Sequence, residues 1–202
     1  MWSIIFNILK WISPFQLIRT LIPATRKNYS FVDSWVFGHL LLSIVLLLVC
    51  SAPCLRWWEF IAIIYGGLRV FEVIIYQINV LLFDEYRAKK TGKSYALRGF
   101  RRLVVLLLHN YAEIIFWFAL FYRNLEWAFE TGKTSLNLFF TSLNFSFVTM
   151  STFGYSTIAP KEILGEFLIL IQSIIGLFIA LLILARFISL IPTPQTMDEF
   201  ES

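Results

Sequence analysis

The side chains best suited to chemistry in this sequence are a few ionisable residues set in apolar surroundings: Asp33, His39, Arg69, Glu72, His109 and Glu113. An unpaired charge at the centre of a bilayer costs roughly 2.5 to 3.5 kcal/mol, so such residues need partners. Arg69 and Glu72 stand at i,i+3 on one helix face, and Glu113 falls at about the depth of Glu72 when both are counted from the inner surface. The spacing predicts an intramembrane ion-pair network of Arg69, Glu72 and Glu113 that ties peripheral helices to central ones. A sensing role is the other reading, but a voltage sensor needs several arginines at every third residue of one span, and here there is only Arg69. His109 and Glu113 stand at i,i+4, a spacing that metal ligands use; one such pair is a weak signal, and no metal is expected. Cys50 and Cys54 fit no common zinc spacing, lack a nearby histidine and read as structural, with a disulfide left open. His39 reads as a packing or interfacial histidine. Asp33, His39, His109 and Glu113 together support an alternative, an intramembrane enzyme or transporter with a proton or substrate path. No nucleophile, base and orienting group form a set, so an enzyme is not expected.

The elements that must position these residues are membrane helices. With 58% hydrophobic, 18% aromatic and 15% charged residues in a chain of 202, the sequence is far more apolar than an ordinary globular domain. Four apolar runs reach spanning length, at about 35–52, 57–83, 103–122 and 163–191. Pro53 ends the first, and Pro192 and Pro194 end the last. Residues 1–12 place Trp2, Ile5, Phe6, Leu9 and Ile12 at helical spacing and predict an interfacial amphipathic helix. A secretory signal is disfavoured, because no basic residue precedes the apolar part.

Residues 134–160, between the last two runs, are too polar and too short to cross, yet apolar at their centre. A short helix capped by Thr134 or Ser135 is expected to run to about Met150, followed by a stretch of small and polar residues at 151–157. Non-helical backbone survives at membrane depth only when buried in protein or lining a water-filled pathway, so the segment reads as a re-entrant pore loop. Lys10, Arg19, Arg26, Lys27 and the basic residues of loop 87–102 fall on one side of this layout. Only Arg56, Arg123, Lys133 and Lys161 fall on the other. The positive-inside rule therefore puts both termini in the cytoplasm and the re-entrant loop outside, in a cell (inner) membrane.

Residues 146–160 read Ser-Phe-Val-Thr-Met-Ser-Thr-Phe-Gly-Tyr-Ser-Thr-Ile-Ala-Pro. This resembles the pore signature of potassium channels, typically Thr-x-Thr-Thr-Val-Gly-Tyr-Gly-Asp, and is similar to that of small bacterial two-transmembrane-pore ion channels. The resemblance covers about residues 134–191 and leaves out the first two spans. It implies an all-α membrane protein with four transmembrane helices, a re-entrant pore helix and filter between the last two, and a tetrameric pore. It also implies potassium as the permeant ion, with no cofactor. The ion pathway implied is Thr152, Phe153, Gly154, Tyr155 and Ser156, whose carbonyls would replace an ion's hydration shell. Gly154 would reach backbone conformations closed to other residues, and Thr152 would add its hydroxyl at the inner mouth. Tyr155 would pack the filter against the pore helices, while Phe153 replaces the usual Val or Ile. Ser156 stands where the family has a second glycine and Thr157 where it has aspartate, which implies weaker discrimination against sodium. Gly176 falls where these channels place a hinge, with Ala180 and Leu184 following at i+4 steps as cavity lining and constriction. Close helix contact is the other reading of Gly176.

The chain then divides into a cytoplasmic interfacial segment (1–30), a peripheral two-helix unit with a basic loop (31–102), a pore domain (103–191) and a cytoplasmic tail (192–202). The expected partners are three further copies and the lipid bilayer. Lys89, Lys90, Lys93, Arg98, Arg101 and Arg102 would meet anionic lipid, or a soluble anionic ligand such as a nucleotide. Control by lipid or by a separate soluble ligand or protein, as in an effector channel, follows as the expectation.

Overall fold

A computed structural model describes residues 29–49, 56–78, 100–132, 135–154 and 157–188. In chain order these form α1 (Tyr29–Val49), α2 (Arg56–Ile78), α3 (Phe100–Asn124), a 3-10 turn (Glu126–Ala128) and β1 (Phe129–Glu130). They continue as α4 (Phe139–Met150), β2 (Ala159–Pro160) and α5 (Ile163–Ile188). Among the described residues four helical stretches are long and apolar enough to cross a bilayer: Ser30–Val49, Trp57–Ile78, Val104–Asn124 and Ile163–Ile188. Twenty residues of helix rise about 30 Å, the thickness of the hydrocarbon layer, so each can cross it. The chain is a multi-pass membrane protein. At 12 residues α4 is too short to span. The interfacial segment 1–12, Cys50 and Cys54, Lys89, Lys90, Lys93 and Arg98, and the tail 192–202 lie outside the described residues.

Helix α3 is the centre of the fold. Trp117, Ala119, Leu120 and Tyr122 are fully buried and Phe118 nearly so, which takes in every direction around the helix axis. An all-round apolar helix must be covered on all sides. Here α1 and α2 cover one side and α4 and α5 the other. Helix α2 comes closest at Gly66, where an added Cβ would lie 2.5 Å from Trp117 and 2.9 Å from Phe121. On the other side Tyr122, Phe129 and Phe145 meet edge to face, with ring centroids 4.6 to 5.7 Å apart, and join α3, β1 and α4.

The all-α expectation needs one amendment. β1 and β2 pair antiparallel, Phe129 with Pro160 and Glu130 with Ala159. This two-residue ladder ties the chain leaving the 151–157 loop back to the end of α3. The Ala128 carbonyl then accepts from the amides of Lys161 at 2.9 Å and Glu162 at 3.2 Å. The first turn of α5 passes so near that a Cβ at Gly165 would lie 2.7 Å from the same oxygen.

Candidate pore loop and its supports

Helix α4 begins later than its expected cap. Its N-cap is Leu138, with no side-chain capping bond, and Thr134 lies outside the described residues. Ser135 does not cap it because its Oγ accepts from the Asn137 amide at 3.1 Å, before the helix begins, while donating to Glu126 Oε1 at 2.7 Å; the Leu136 amide donates to the same carboxylate oxygen at 2.8 Å. Asn137 Nδ2 donates to the other carboxylate oxygen. One acidic side chain thus gathers the three donors that precede the helix, a charge-assisted arrangement.

At its other end α4 tightens. The amide of Ser151 donates to Phe147 O at 2.9 Å, that of Thr152 to Thr149 O at 3.3 Å and that of Phe153 to Val148 O at 3.2 Å. Thr152 then turns into the left-handed region with φ 59°, and Gly154 follows at φ 69°. Glycine reaches this region freely, whereas a β-branched residue does so only when its surroundings hold it there. Thr152 Oγ1 donates to Ser151 O at 2.7 Å. Thr152, Phe153 and Gly154 are all exposed, Phe153 at 75%. Tyr155 and Ser156 lie outside the described residues, and Thr157 beyond them is exposed.

Behind α4 sits a buried polar chain that the apolar pattern did not announce. Tyr122 OH donates to Gln172 Oε1 at 2.6 Å. Gln172 Nε2 donates to Ser146 O at 3.0 Å and Ser146 Oγ at 2.8 Å, and Ser146 Oγ donates to Ile115 O at 2.7 Å. Gln172 and Ser146 are both 0% exposed. One turn further along α5, a Cβ built on Gly176 would overlap the Met150 carbonyl. Gly176 is therefore a point of close helix approach. Ala180 and Leu184 lie exposed further along α5.

The intramembrane charges form a separate centre between α2 and α3. Arg69 Nε donates to Glu113 Oε1 at 2.7 Å and Nη2 to Oε2 at 3.1 Å, a two-pronged grip. Arg69 Nη1 donates to Glu72 Oε2 at 2.6 Å, and Trp117 Nε1 to Glu113 Oε1 at 3.2 Å. All three charged side chains are buried. His39 Nδ1 donates to Trp35 O at 2.7 Å, leaving Nε2 to accept from Tyr65 OH at 2.6 Å, and the Tyr65 ring packs on Trp117 with centroids 5.8 Å apart. His109 Nδ1 donates to Val105 O at 2.8 Å within its own helix. Asp33 holds Arg102, with Nη2 to Oδ1 at 2.7 Å. Asp33, His39, His109 and Glu113 thus each bond to different groups. Among the described residues no group of three or more His, Cys, Asp or Glu side chains is arranged to hold a metal.

Of the expected lipid- or ligand-facing basic residues, Arg102 pairs with Asp33 at a partly exposed site, and the side chain of Arg101 lies outside the described residues. Arg123, read from the sequence only as an outer-side charge, is buried and donates from Nη1 to the carbonyl of Leu47. That places a cation against the C-terminal turn of α1, where the helix dipole favours one.

Two helices of spanning length thus flank a short apolar helix and a loop with left-handed backbone at Thr152 and Gly154. Residues 104–192, from the first turns of α3 to just past α5, match the family model described as ion channel. Over that stretch, a little under half of its length, the chain is similar to an ion-channel domain. Neither the curated proteins nor the solved structures give a match.

Proposed function

We propose that four copies of this chain surround one pathway and conduct potassium, with weaker discrimination against sodium than the Thr-Val-Gly-Tyr-Gly pattern gives. The observation that carries this reading is the left-handed backbone at Thr152 and Gly154, directly after α4 and inside the ion-channel domain. Left-handed turns change the direction in which successive carbonyls point, and a ring of such oxygens can replace an ion's hydration shell. The C-terminal end of α4 carries partial negative charge that favours a cation beside it. The proposed pathway runs through Thr152, Phe153, Gly154, Tyr155 and Ser156 and continues past Ala180 and Leu184 on α5. With a single arginine in the peripheral unit at membrane depth, Arg69, voltage does not drive opening. Control comes instead from lipid or a separate soluble ligand or protein at the basic 87–102 loop, which lies in the cytoplasm with both termini; a cysteine placed at Lys93 would then react with impermeant reagent only from that side.

The test is potassium flux. Purified protein in potassium-loaded vesicles should discharge the gradient, and Gly154→Ala should slow the discharge at least several-fold, since the left-handed backbone costs a residue with a Cβ roughly 1 to 2 kcal/mol in each chain. Vesicles that hold their potassium with properly inserted wild-type protein would refute the channel.

A further inference from the structure

Helices α4 and α5 are joined at two points in matching register. Gln172 meets Ser146, and four residues on, Gly176 meets Met150. Each pair is one helical turn beyond the other on both helices, so α5 and α4 run alongside each other through the contact and neither can slide without breaking it. Gln172 is also fixed from behind by Tyr122 on α3, and Ser146 by the Ile115 carbonyl. All of Gln172's hydrogen-bonding groups are therefore directed: the amide oxygen accepts from the tyrosine and the amide nitrogen donates to both oxygens of the serine. Met150 is the last residue of α4, and the left-handed turn at Thr152 comes two residues later. Whatever sets the position of α4 along its axis sets the position of that turn.

We infer that Gln172 is a positioning residue for ion discrimination, acting through Ser146 to fix where α4 ends and so where the loop carbonyls of residues 151–154 stand. This role rests on the cation-channel reading above and adds to it the link between α5 and the loop. An apolar side chain such as leucine carries no amide to hold Ser146 and so releases α4. Because Tyr122, Gln172 and Ser146 form one fully satisfied buried chain, breaking any link leaves an orphaned polar group and lets the helix shift to relieve it.

The experiment is a reversal-potential measurement on wild-type, Gln172→Leu, Ser146→Ala and the double variant, each reconstituted in planar bilayers with potassium on one side and sodium on the other. Gln172→Leu should raise the sodium-to-potassium permeability ratio about fivefold, the factor that one typical buried hydrogen bond represents. Ser146→Ala should shift it in the same direction, and the double variant should add little to Gln172→Leu, since both remove one linkage. A loss of assembly alone would lower the current but leave the reversal potential of the surviving channels in place. Should Gln172→Leu not assemble, Ser146→Ala decides: a shifted ratio upholds the role and an unchanged ratio overturns it. Wild-type protein that passes no cation current overturns the channel reading and this role together. A selective wild type whose variants keep the same ratio overturns only the role of Gln172.

Discussion

Arg69 is gripped by both oxygens of Glu113 and one of Glu72, with Trp117 completing the Glu113 shell. Two carboxylates and one guanidinium are stable in hydrocarbon only together, and taking out the cation leaves two buried acids facing each other. Arg69→Ala should therefore destabilise the solubilised protein by roughly 3 to 5 kcal/mol, the usual loss when a buried pair is broken from one side. The contrast lies at the Asp33–Arg102 pair, whose side chains are 46% and 35% exposed. Asp33→Asn should cost no more than about 1 kcal/mol, as for exposed pairs generally. Thermal unfolding in detergent measures both. An Arg69→Ala protein with an unchanged midpoint would mean that the centre contributes nothing to stability.

Helix α5 makes a different demand, for absence rather than presence of a side chain. A methyl group at Gly176 meets the Met150 carbonyl, while one at Gly67 on α2 meets nothing within 4 Å. Gly176→Ala should cost about 1 to 3 kcal/mol, as overfilling a tight contact does. Gly67→Ala should be neutral or stabilising by up to about 1 kcal/mol, because alanine is the better helix former. Unfolding midpoints for the two variants that moved together would contradict the close contact between α4 and α5. Both glycines look alike in the sequence, and only the register of neighbouring helices separates them. The four spanning helices were legible because apolar runs of spanning length have few other meanings, and α1 starts before residue 35 only because its polar first turns stay helical while Asp33 holds Arg102. The Arg69 centre was legible because charge in hydrocarbon demands a partner. Glu126 was not, since its donors lie 9 to 11 residues away across a turn with no periodic signal. Gln172 carried a signal that went unused: a polar side chain at the middle of the most apolar helix needs a partner for the same reason as Arg69.

At the scale of the whole molecule, a single chain leaves too much uncovered. Phe167, Leu170, Ile174, Leu177 and Leu181 form a continuous exposed stripe down α5, at spacings of three and four residues. Lipid can cover such a stripe, but it cannot satisfy Asn144, which is exposed on α4 beside Phe140 and Phe147 in the apolar groove against α3. In the proposed tetramer a neighbouring chain would cover both. Each chain also offers one loop, hence one carbonyl at each level, whereas a dehydrated ion needs oxygens from several directions. Closed fourfold symmetry supplies them with identical contacts between all neighbours. Native mass measurement of the solubilised protein should therefore give four chains, and a monomer or dimer that conducts would end the pore reading. In such a ring Ser156 and Thr157 of every chain stand at the outer end of the loop, where the potassium-channel signature has glycine and aspartate. On the proposed reading, serine would reach the left-handed backbone open to a second glycine only at a cost, and four threonines carry none of the negative charge of four aspartates. Restoring both, with Ser156→Gly and Thr157→Asp, should shift the reversal potential toward stricter potassium selectivity. A double variant no more selective than the wild type would show that discrimination is set deeper, at Thr152 to Gly154, and not by the substituted outer end.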